Sequence, residues 1–216
     1  MEYTAGRPAW QDILEFWFPE GRSLQIDATT HQENWRWRMQ GGADSAITSR
    51  FLAITDQAAA GELDHWAAAP EGRLALIIVL DQFSRSAWRN SARAFAQDTA
   101  ALAWVMEGLS NDHYAALPAP WFKAVYGLPL GHCEGPDHLD RLDLLIKLRT
   151  AIAAEAPPPL QATYQSLVRQ ARDVRQVIAA FGRHPHRNAV LGRTSTPDEQ
   201  AYITKGRFPH LRAFRG

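Results

Sequence analysis

The chain has 216 residues, of which 46% are apolar, and a single cysteine, Cys133. No internal disulfide is possible, so a disulfide scaffold is excluded and a reducing compartment is expected. Lys and Arg number 23 against 23 Asp and Glu, which removes any bulk pull toward nucleic acid or anionic membrane.

Helical periodicity dominates from the start. Residues 8–18 set Trp10, Leu14 and Trp17 on one face, with Pro8 suited to a first turn and Pro19 and Gly21 as a stop. Residues 44–60 carry Ile47, Phe51, Ile54 and Ala58 as a second stripe, with Gly61 as its cap. The run 74–80 is aliphatic throughout and fits either a buried strand or a buried helix. Helix is expected, because Leu74, Ile78, Asp81 and Arg85 continue at spacings of four, three and four.

Ser91 reads as the N-cap of a helix over 92–107, with Gly108 in the closing position. Residues 136–155 and 160–181 read as two long helices separated by Pro157, Pro158 and Pro159, the second closed by Gly182. Thr196-Pro197-Asp198-Glu199 is a capping box, with a short helix expected over 197–204. The expected fold class is therefore all-α: stacked antiparallel helical hairpins in a single domain over 1–216. No stretch has the length and apolarity of a signal peptide or a bilayer span, so a cytoplasmic protein is expected.

Three polar clusters interrupt this pattern. In 81–90, Asp81 and Arg85 share a helix face with core residues and can pair, either closing the core or lining a pocket. In 128–138, His132, Cys133, Glu134 and His138 are chemically able to ligate a metal, but the spacing matches no zinc signature, and no metal is assigned. A nucleophilic Cys133 served by adjacent His132 is disfavoured, because neighbours in an extended loop point apart. In 181–193, His186, Arg187, Asn188 and Arg193 lie in an irregular stretch just before the Thr196 helix start. Arginine forks beside a helix N-terminus suit an anion; the plainer reading is a connection whose guanidiniums cap carbonyls.

From 183 to 216 the basic residues Arg183, Arg187, Arg193, Lys205, Arg207, Arg212 and Arg215 face only Asp198 and Glu199. Trp35 and Trp37 suggest an aromatic surface over a cavity or a partner. No phosphate loop, dinucleotide fingerprint, HExxH or GxSxG element is present, and no cofactor is assigned.

Taken in order, Ile13 to Phe18, Gly61-Glu62-Leu63, Leu80 to Arg85, Ala94 to Asp98, Leu128-Pro129-Leu130 with His132 and Glu134, Phe181-Gly182-Arg183, Pro185 to Asn188 and Leu191 to Ser195 resemble a bacterial family known as domain of unknown function 924. The resemblance spans nearly the whole chain. It implies a helical fold related to tetratricopeptide-repeat superhelices and brings no established activity. Three positions depart from the family pattern: Ser86 stands where Asn is usual, Val174 where His is usual, and His184 where Phe is usual.

The leading functional expectation is a pocket for a small anionic metabolite, in which chemical conversion is open. Arg187 and Arg193 would hold the anion, with Asp81, Arg85 and Asn188 beside it. His132 or His186 would move a proton, oriented by Asp81 or Glu134. Removal of Arg187 is expected to abolish binding and spare stability. The alternative is a protein-interaction module in which the same residues are braces. A nucleic-acid or membrane partner is not expected.

Overall fold

The computed structural model describes residues 8–209. Arg212 and Arg215 of the basic segment lie outside the described residues. Twelve α-helices and several short 3-10 turns make up the described residues, with no strand among them. No helix of these residues is long and apolar enough to cross a membrane.

Helix α1 (Trp10–Trp17) buries Ile13, Leu14 and Trp17. Helix α2 (Ala28–Met39) has no apolar stripe in sequence; its buried face is His31, Trp35 and Arg38. Asp27 starts it by accepting from the Thr30 amide at 2.8 Å. Trp35 and Trp37 are therefore not an aromatic platform: Trp35 is buried against the Arg38 guanidinium, and Trp37 meets the Phe16 ring edge-on.

The helix expected over 44–60 is two, α3 (Asp44–Arg50) and α4 (Leu52–Ala59). Phe51 joins them in a non-helical conformation and buries its ring, so the stripe survives while the backbone bends. Gly61 does follow in the left-handed region, with φ +78°.

The run that was ambiguous between helix and strand forms α5 (Pro70–Ile78), with Pro70 in its first turn. It sits at the centre of the molecule: every residue from Leu74 to Leu80 is 2% exposed or less. A π-helical turn over Val79–Phe83 leads into α6 (Ser84–Ala87).

Ser91 does cap, accepting from the Arg93 amide, but what it starts is a 3-10 turn, and α7 begins only at Asp98 (Asp98–Ser110). Gly108 is inside α7 and not at its end, and its reason is contact. A Cβ there would lie 1.6 Å from the Tyr126 hydroxyl oxygen and 3.0 Å from Arg73 Cδ. Tyr126 belongs to α8 (Pro120–Tyr126), which is buried with Trp121 and Phe122.

Helix α9 (Leu128–His132) occupies the segment read as an extended loop. Helices α10 (His138–Glu155) and α11 (Gln161–Phe181) form a long antiparallel hairpin. Asp143 bonds Arg175, and Arg149 donates to the Leu167 carbonyl, so partners later in α10 meet residues earlier in α11. Gly182, with φ +68°, ends α11. The capping box at Thr196 is complete in both directions and starts α12 (Pro197–Lys205). One contiguous apolar core runs through α1, α5, α8, α10 and α11.

Gly108→Ala is expected to destabilise the protein by about 1–3 kcal/mol despite alanine's better helix propensity, because Tyr126 is buried and must shift. Urea unfolding of the variant against the parent measures this. Equal or greater stability in the variant would contradict the close approach.

Candidate functional site

Asp81 lies in the π-helical turn that ends the buried run, a feature found often at functional sites. Its carboxylate is 1% exposed and is met on every side. His132 Nδ1 is 3.0 and 2.9 Å from its two oxygens. Gln82 Nε2 donates at 2.5 Å, and Arg85 Nη2 lies at 3.2 Å. Burial pushes this carboxyl up, but Arg85 and then His132 outweigh it and hold the group well below the usual carboxylate range. An ionised carboxylate can only accept, so the Nδ1 proton is on His132.

Arg85 extends the contact chain. Its Nη1 donates to the Asp81 carbonyl at 2.5 Å and its Nη2 to Asp98 Oδ1 at 2.9 Å. Arg187 Nη1 takes the other oxygen of Asp98, also at 2.9 Å. Both guanidiniums lie over the Phe95 ring, at 5.5 Å and 4.5 Å from its centroid. The result is a line of alternating charge, His132–Asp81–Arg85–Asp98–Arg187, drawn from α9, the π turn, α6, α7 and the 3-10 turn Pro185–Arg187. Its interior end is Arg187, 5% exposed; its outer end is His132, 26% exposed in its side chain. Among the described residues, His132 Nε2 has no hydrogen-bond partner.

Glu134 organises the second half. It accepts from the His184 amide at 2.7 Å and from Arg193 Nη1 at 2.5 Å, and these bonds hold its carboxyl below the usual range against the opposing effect of burial. Arg193 also donates to the His184 carbonyl. The loop carrying these residues is fixed from within: the Arg193 amide bonds the Asn188 carbonyl, Asn188 Nδ2 donates to Ser195 Oγ, and Arg183 holds Glu199 with two bonds.

Sequence reading and geometry agree on Asp81, Arg85 and His132, which touch directly. Glu134 and Arg193 touch each other, and Arg187 joins through Asp98. Four positions stand outside the contact chain: Glu134 and Arg193, which pair with each other, and Asn188 and His186. Asn188 is 1% exposed and braces its own loop. The ring of His186 lies against those of His184 and Phe208. Cys133 is buried, with its thiol pushed up by burial, and its carbonyl accepts from Arg141. Among the described residues, no group of three or more His, Cys, Asp or Glu side chains is arranged to hold a metal ion.

Asp98 and Gln82 are the residues of the contact chain to which sequence reasoning gave no role. His138 Nε2 and His184 Nε2 lie 3.2 and 3.0 Å from one acceptor, the Gly131 carbonyl, and so carry their protons there. The usual Phe at position 184 could not make this bond. Ser86, another departure, donates to Asp44 at 2.6 Å, and Val174 packs against the core.

The geometry changes what Arg187→Ala should do. Asp98 would keep one guanidinium of two in a buried setting, so about 3–5 kcal/mol of destabilisation is expected, not spared stability. Thermal or urea unfolding decides this; a loss well under 1 kcal/mol would mean that the Asp98 pair is not structural.

Burial lowers His31 and His138 to about 4 and takes His184 well below its ordinary value. The folded state thus binds fewer protons than the unfolded state between about pH 4 and 6.5, and stability falls as pH falls through that window. His138→Gln should shrink the drop between pH 7 and 4.5 by about 1–3 kcal/mol. Urea midpoints of parent and variant at the two pH values provide the check, and parallel pH dependence would refute it.

The comparisons with known proteins bear on family and fold and assign no role. The family model for bacterial proteins of unknown function, DUF924, matches residues 13–207. A solved structure of a protein of unknown function from Agrobacterium tumefaciens superposes with a TM-score of 0.68 at 29% identity, covering 91% of this chain and 97% of that one. No curated protein matches. With nearly its whole length matched by the family model, the chain belongs to the bacterial family of proteins of unknown function DUF924.

Proposed function

We propose that the half-open polar cluster around His132 binds a small anionic metabolite, and that the Asp81–His132 pair moves a proton to or from it. One observation carries this reading. A buried carboxylate in a π-helical turn fixes the Nδ1 side of an imidazole whose other nitrogen is unpartnered among the described residues and whose side chain is part exposed. A carboxylate in that position sets the tautomer and stabilises the imidazolium that forms when the outer nitrogen takes a proton. Pure bracing does not require the exposed end.

Arg85, which shares Asp81 with His132, and the Glu134–Arg193 pair keep between 21% and 23% of their side chains exposed. They supply donors and an acceptor with which a polar ligand can exchange bonds. We infer a protein with no nucleic-acid or membrane partner, on its balanced charge, and a cytoplasmic one, on its single cysteine.

A tetratricopeptide-like superhelical stack is part of the same proposal, supported by the long α10–α11 hairpin. The competing module for a protein partner reads every arginine–carboxylate pair as bracing, and it gives His132 no task.

The test is a ligand panel of mono- and dicarboxylates and phosphate monoesters, followed by the imidazole signals of His132 in NMR. At least one compound is expected to shift His132 saturably in the parent, and Asp81→Asn should weaken that compound's binding by about tenfold or more. If no panel member moves His132, the small-molecule reading fails.

A further inference from the structure

Arg187 uses one edge of its guanidinium and leaves the other unused. Nη1 donates to Asp98, and the plane rests on Phe95. Nε is buried without an acceptor among the described residues, and the side-chain hydrogen bond Arg187 makes to them is from Nη1, not Nη2. Nε–H and the outer N–H of Nη2 point the same way, and together they match two oxygens of one carboxylate or phosphate group. Native proteins rarely keep such a buried donor unmatched.

The nearby carboxylates do not fill this edge. Asp98 gives its remaining oxygen to Arg85. Glu134 has both oxygens committed to Arg193 and the His184 amide. Arg85, Arg187 and Arg193 balance Asp81, Asp98 and Glu134 in charge, so an anion would be drawn here by directed hydrogen bonds and not by a net field. Arg149 shows the same pattern elsewhere, with Nη1 on the Leu167 carbonyl and Gln170 and a buried, unmatched Nε. No titratable group is among its hydrogen-bond partners, which makes it an internal control.

We propose that the Nε–Nη2 edge of Arg187 seats the oxyanion, carboxylate or phosphate, of the ligand that His132 serves. This rests on the small-molecule reading above and adds the chemical class of the ligand and the group that reads it. Arg187 is joined to His132 through Asp98, Arg85 and Asp81, so the two groups belong to one contact chain.

The experiment follows the arginine Nε–H signals of the whole protein by NMR, with inorganic phosphate in one arm and succinate in the other. The Arg187 signal is expected to move saturably with one probe, in the parent and in His132→Ala alike, while the Arg149 signal stays. Arg187→Lys keeps a cation for Asp98 but lacks the planar edge, and should weaken that probe's binding by about tenfold or more. An Arg187 signal unmoved by both probes overturns the proposal. So does equal movement at Arg149, or undiminished binding to a folded Arg187→Lys. If a probe shifts the His132 ring but not Arg187 Nε–H, proton transfer at His132 survives and the edge assignment falls. Should Arg187→Lys not fold, the signals of the parent protein decide alone.

Discussion

Everything in this molecule is arranged around a helix buried on all sides, and around what happens where its apolar run stops. From Leu74 to Leu80 no residue has appreciable contact with solvent, so the next side chain, Asp81, enters the interior as well. An isolated carboxylate there would be strongly disfavoured. It is ionised because Arg85 and His132 reach it, and Arg85 in turn requires Asp98 to complete its bonding. Asp98 then takes Arg187 from a segment almost ninety residues on. The location of the candidate site thus follows from burial: the charge chain begins at Asp81, where the core forces it to begin, runs inward through Asp98 to Arg187, and reaches the surface on its other side through His132.

Much of the fold could be read in the sequence because its helices carry apolar stripes or explicit punctuation. The capping box at Thr196 and the glycine after Phe181 are local rules, and local rules need no tertiary knowledge. Helix α2 was invisible for the opposite reason. Its inward face is His31, Trp35 and Arg38, which looks like a solvated helix until Glu20 and Tyr164 are there to receive it. The break at Phe51 was equally hidden, since a bend that preserves the stripe leaves the periodicity intact. Gly108 misled because a glycine at a helix end and a glycine under a tyrosine read alike in one dimension.

The site was legible where it depended on spacing and obscure where it depended on packing. Asp81 and Arg85 are four apart, and they do pair. His132 and Glu134 stood out as chemistry-capable residues, yet nothing in sequence said that one would face Asp81 and the other Arg193. The π-helical turn left no mark, because it changes which carbonyl each amide finds and not which residues are present. Asp98 falls inside the helix expected over 92–107; only the fold starts α7 there and shows that its carboxylate is shared by two arginines. His184, a departure from the family pattern, turns out to anchor the loop through Gly131 and Glu134.

The molecule contains a second buried polar cluster, and the contrast identifies what is distinctive about the first. Glu20, His31 and Arg38 have side chains with no exposure at all, Tyr164 bonds His31, and aromatic rings from Phe18, Trp35 and Trp121 surround them. His31 is kept neutral by burial. Here the Arg38 charge is matched by Glu20 and no side chain of the three reaches solvent, which suits bracing between α2 and α11. At Asp81 the same materials are used differently: pairs extend inward to Arg187 on one side, and on the other an imidazole bonded to Asp81 is part exposed, with one nitrogen fixed and the other unpartnered among the described residues. Burial of charge alone therefore does not distinguish a brace from a site. The open end does, because a proton or a ligand can only be exchanged where a buried network meets solvent.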